Sequence, residues 1–129
     1  MKKYYQTGEY YQLIIDLSLQ MIDLKDDYGD KKKVRKHNAA VTKLYKFIDH
    51  PDFPKIKPFL LKLLDHEHPR VVQNAAICCF IMNCYEKEAI LALTKVSRCA
   101  KDSIVRFEAE HTIEVKEELK TYFSRKSKT

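Results

Sequence analysis

The chain has 129 residues, 45% hydrophobic and 33% charged, with two glycines, four prolines and no tryptophan. That length suits one domain and leaves little room for a second core. So few turn formers exclude a β-sandwich or barrel, and the apolar content excludes wholesale disorder. The formal charge is +6, and the excess is local. Lys31, Lys32, Lys33, Arg35 and Lys36 form one basic block; Lys120, Arg125, Lys126 and Lys128 form another. Such a balance favours acidic surfaces or polyanions as partners.

Lys2 and Lys3 precede a polar, tyrosine-rich stretch rather than an apolar one, so no export signal is expected. Across 10–24, Tyr10, Ile14, Leu17, Met21 and Leu24 recur at helical spacing, with Thr7 as N-cap and Glu9 in the first turn. The apolar part, 13–24, carries Asp16 and Asp23 and is too short to span a bilayer. Tyr28-Gly29-Asp30 ends this element. A second helix is predicted over 31–49, burying Val34, Val41, Leu44, Tyr45 and Ile48, and His50-Pro51-Asp52 stops it. A third lies in 55–64, from Ile56, Phe59, Leu60, Leu63 and Leu64, with Pro54 and Pro58 near its first turn.

The fourth helix, about 70–84, is apolar all round from Ala75 to Met82 and must be enclosed on most sides. A fifth follows over 86–99 and a sixth over 102–123, with Asp102 or Ser103 as cap. Residues 1–123 are expected to form a single domain, and 124–129 a disordered basic tail. Cys78, Cys79, Cys84 and Cys99 form no C-x-x-C pair, and adjacent Cys78 and Cys79 suit a mutual bridge poorly. They are expected to be reduced core residues of a cytoplasmic protein.

Internal repetition appears next. Asn38-Ala39-Ala40 returns as Asn74-Ala75-Ala76, and Phe107-Glu108-Ala109 can be laid over the latter, with Val105 on Val72 and Ile113 on Phe80. Each block sits early in the second helix of a pair, where small residues let helices approach closely. Leu60-Leu61-x-Leu63-Leu64-Asp65 followed by Pro69-Arg70-Val71-Val72-x-x-Ala75-Ala76 resembles the HEAT repeat. Ile90-Leu91-x-Leu93 followed by Asp102-x-x-Val105-Arg106-x-x-Ala109 resembles it more loosely, and 9–50 only poorly. The whole chain also resembles a family of short bacterial HEAT-like proteins. The resemblance implies an all-α, right-handed α–α superhelix of about six helices in three hairpins. It also implies structural roles for Asp65, Arg70, Asp102 and Arg106, beside the seam residues Ala75, Ala76 and Ala109.

Among chemical features the basic block stands out. At about 100° per residue, Lys32, Arg35, Lys36, Lys43 and Lys46 share roughly 100° of arc, opposite Val34, Val41, Leu44 and Ile48. They make a candidate docking face for an acidic protein or for phosphates, or else a solvated face tempered by Asp23, Asp26, Asp27 and Asp30 upstream. Lys31 to Lys33 in a first turn oppose the helix dipole. Tyr4, Tyr5, Tyr10 and Tyr11 suit stacking on bases, or packing on a terminal hairpin. His66-x-His68 beside Asp65 lacks the converging ligands of a zinc site. Glu110, Glu114, Glu117 and Glu118 have a carboxylate spacing like that of a bundle iron site, but a single helix of this kind is ordinarily a solvated face. Two glycines build no phosphate loop, and nothing fixes a nucleophile beside a base.

The expectation is therefore a non-enzyme without cofactor or metal. Its partner would be another protein, as in HEAT-like modules whose second helices form a continuous face; capping a toxin is one concrete form. Nucleic-acid binding through the basic helix is the alternative. Neither membrane insertion nor an assembly beyond monomer or homodimer is expected. If Ala76 lies in a helix seam, Ala76→Leu should lower the thermal midpoint strongly by overpacking, while Lys32→Glu should leave it within error.

Overall fold

The computed structural model describes residues 8–21 and 30–121. The fold is all-α: among the described residues there are seven α-helices, one 3₁₀ segment and no strand. Contacts divide the chain into two compact units, Met1–Phe59 and Leu60–Thr129.

In the first unit, α1 (Tyr10–Gln20) packs on α2 (Lys31–Ile48) and on the 3₁₀ segment Phe53–Phe59. α1 stops short of the predicted end because Met21 is extended, with φ −83° and ψ 110°. Leu24, Thr7 and the Tyr28-Gly29 turn lie outside the described residues, as do Tyr4, Tyr5 and 124–129. Glu9 takes the N-cap position without a side-chain capping bond.

α2 is longer than its opening lysines would favour, and Asp30 explains why. Its carboxylate accepts from the backbone N–H groups of Lys32 and Lys33 at 3.0 and 3.2 Å, placing a negative charge against the exposed amides. The buried residues of α2 are Ala40, Leu44, Phe47 and Ile48. The packed face is thus turned roughly 70° from the predicted stripe. Phe47 decides this: it stacks on Tyr10 at 5.4 Å and meets Phe53 edge-on at 5.5 Å. Tyr45, expected inside, is 54% exposed. The buried Tyr10 donates its hydroxyl to Asp52, which also holds that carboxyl below its usual range.

The predicted third helix is split. Residues 53–59 wind as 3₁₀ around Pro54 and Pro58, and only α3 (Leu60–Leu64), past the second proline, is α-helical. α3 belongs to the second unit with α4 (Pro69–Ile81), α5 (Glu86–Cys99), α6 (Ser103–Glu114) and α7 (Lys116–Lys120). α4 touches all four of the others, and eleven of its residues are buried. An all-round apolar helix is stable only in such surroundings.

α4 ends in a Schellman motif rather than running to Cys84. Asn83 takes the left-handed conformation, φ 52°, while Cys84 N–H donates to the Cys79 carbonyl and Asn83 N–H to that of Phe80. α5 keeps its predicted span. α6 is capped by Asp102, but the helix breaks at Val115 instead of continuing through 123. The Thr112 hydroxyl bonds back to the Glu108 carbonyl, a bond that bends helices, and Ile113 and Val115 add β-branched crowding. The break turns α7 onto α4. Cys78 and Cys79 are buried, and burial pushes the Cys78 thiol up to about 12. Cys84 is only half-buried, and Cys99 is exposed rather than in the core.

The His66-x-His68 turn acts through backbone bonds. His66 Nδ1 accepts from His68 N–H, and His68 Nδ1 caps α4 by accepting from Arg70 N–H at 3.2 Å. An accepting Nδ1 must be unprotonated. Burial, with His66 and Arg70 nearby, holds His68 below its ordinary value. The native state thus favours neutral His68 more than the unfolded chain does. Its contribution is full above the ordinary histidine range and lost as pH falls through the lower native value. His68→Asn, which caps without titrating, should lose less stability than wild type between about pH 7 and pH 5 in chemical denaturation.

Candidate functional site

On α2, Lys32, Arg35, Lys36, Lys43 and Lys46 are all exposed, and among the described residues none pairs with a carboxylate. Arg35 Nε donates to the Lys31 carbonyl at 3.5 Å. This is a row of solvated cations on one exposed side of α2.

The residues singled out in the second unit separate into different jobs. Asp65 is exposed, and the cap of α4 is made by His68. Asp102 caps α6 through Oδ1, accepting from Ile104 N–H at 2.7 Å and Val105 N–H at 3.4 Å. Arg106 donates to the carbonyls of Ala100 and Lys101 at 2.6 and 3.1 Å, locking its own turn. Ala75, Ala76 and Ala109 are fully buried, as helix seams require. In the first pair Ala40, the counterpart of Ala76, is likewise fully buried, whereas Asn38 and Ala39, the counterparts of Asn74 and Ala75, are exposed, so the repeated triplet shares only part of its environment there.

Arg70 is different. It is buried, and its guanidinium reaches from α4 to the carboxylate of Glu108 on α6. Gln73 completes the group: its Nε2 donates to the same Glu108 oxygen at 3.2 Å, and its Oε1 accepts from Arg70 at 3.4 Å. Glu108 and Gln73 were not legible as partners, because their positions in sequence carry no charge pattern. The network joins the second helices of two successive pairs and is structural, since its charges are matched internally.

Within the second unit, α4 is covered, whereas α6 exposes Phe107, which stacks on His111 at 6.2 Å. A concavity of the second unit lies between the first helices, α3 and α5. It is a groove of about 730 Å³. Leu64, Val72 and Val96 line it with Leu61 and Leu91, which are 46% and 62% exposed. Asp65, His66 and Glu67 from the turn after α3, and Glu88 and Lys95 on α5, supply its polar groups. No motif or helical period in the sequence marks this groove. Its signal is instead the adjacent pairs Leu60-Leu61 and Ile90-Leu91, since one face of a short helix cannot bury both members.

Compared with known proteins, the chain matches no family model, no curated protein and no solved structure. No helix among the described residues is long and apolar enough to cross a membrane.

Removing Glu108 leaves a buried guanidinium unmatched. Glu108→Ala should destabilise by about 2–4 kcal/mol, more than Arg70→Met, which removes the charge and keeps much of the volume. A double-mutant cycle by urea denaturation should return a coupling of about 1–3 kcal/mol.

Proposed function

We propose that the chain is a non-catalytic protein-interaction module of HEAT-like type, with the α3–α5 groove as its binding site. The observation that carries this is the pair of solvent-facing leucines, Leu61 and Leu91, over an apolar floor of Leu64, Val72 and Val96. Apolar side chains gathered in one concavity are unfavourable in water unless a partner covers them. The reach of Arg70 from one helix pair to Glu108 in the next supports the HEAT-like reading, as do the seam alanines. Buried, reduced Cys78 and Cys79 and the exposed thiol of Cys99 support a reducing, cytoplasmic setting. Affinity capture from the native host should recover a partner with wild type and lose it with Leu61→Asp/Leu91→Asp. Equal recovery by that variant would remove the groove from the reading.

The second reading, nucleic-acid binding, is favoured by one observation: five exposed, unpaired cations on one side of α2. If five phosphates are neutralised, affinity for duplex or single-stranded DNA should fall about a hundredfold or more between about 50 and 200 mM salt. Absence of binding at the lower salt would remove this reading.

A further inference from the structure

We propose that the α3–α5 groove takes an amphipathic helix from another protein. That helix carries leucine-like side chains at i and i+4 and lysine or arginine along its flanks. The assignment deepens the protein-binding reading above and rests on it. Charge names the partner's flanks. Three carboxylates, Asp65, Glu67 and Glu88, stand around the groove against the one ammonium of Lys95. Asp65, Glu67 and Glu88 are all exposed, and among the described residues none is engaged in an ion pair. On a chain of formal charge +6 this is a locally acidic rim around an apolar floor. It repels nucleic acid and anionic membrane surfaces and attracts cationic side chains.

Backbone chemistry names the partner's conformation. The walls are helices, and no strand edge exists among the described residues to pair with an extended peptide. An extended segment would press unpaired N–H and C=O groups onto Leu64, Val72 and Val96, whereas a helix satisfies its own. A second copy offering its basic helix does not fit. The large apolar side chains of α2, Leu44, Phe47 and Ile48, are buried in its own unit and unavailable as anchors.

Cys99 lines the groove and is the one exposed thiol among the described residues, so it reports occupancy. A phage-displayed library of helical peptides, randomised on all faces, would be panned on the full chain. Enriched peptides should carry paired apolar residues with Lys or Arg flanks. As synthetic peptides they should slow maleimide alkylation of Cys99 at least tenfold. Leu91→Asp, whose side chain projects into solvent, should weaken them at least tenfold with an unchanged circular dichroism spectrum. The reversal Asp65→Lys/Glu67→Lys/Glu88→Lys should shift selection to acidic flanks. Peptides that shield Cys99 but carry neutral or acidic flanks on the wild-type chain would overturn the charge assignment and leave the protein-binding reading standing. Failure to enrich any sequence that shields Cys99 would overturn both.

Discussion

The second unit depends on the burial of α4. A helix with Val71, Val72, Ala75, Ala76, Cys78, Cys79, Phe80 and Ile81 distributed around its circumference has no face to give to water. Four other helices surround it, and each turn of the chain serves that enclosure. The Schellman motif at Asn83 turns the chain back onto α4 as α5, and the break at Val115 turns α7 onto it again. Fully buried Ala75, Ala76 and Ala109 set how near the neighbouring axes can come, because a larger side chain at any of them would hold two helices apart.

Enclosure by apolar contact alone would leave the angle between successive helix pairs loosely set, since dispersion is non-directional. The Arg70–Gln73–Glu108 group supplies direction. A guanidinium donates along fixed lines, and here one end of the network is on α4 and the other on α6. Such a group adds less to net stability than its contacts suggest, because both charges are partly desolvated, but it penalises any packing that separates them.

The groove follows from the same constraint. α3 and α5 each turn one side toward α4, and both carry more leucine than that side can hold. Leu60, Leu63 and Leu93 go inward; Leu61 and Leu91 are left facing water in the concavity between the two helices. The groove is thus a by-product of covering α4, bordered by the exposed carboxylates of Asp65, Glu67 and Glu88. The cations of α2 belong to the first compact unit, and the groove to the second.

Periodicity alone was enough for the helical class, the span of α5 and the need to enclose Ala75 to Met82, because these depend on local spacing and on side-chain hydrophobicity. Exposure of Lys32, Arg35, Lys36, Lys43 and Lys46 followed similarly from the cost of burying charge. Tertiary packing decided what two apolar candidates compete for. Phe47 displaced Tyr45 from the core because its ring fits between Tyr10 and Phe53, and Leu61 and Leu91 stayed outside because Leu60 and Leu93 occupy the inner positions. It also decided the pairing of Arg70 with Glu108, 38 residues apart, and the capping of α4 by His68. Local sequence states what each segment would bury; which neighbour it meets depends on distances that exist only once the helices have docked.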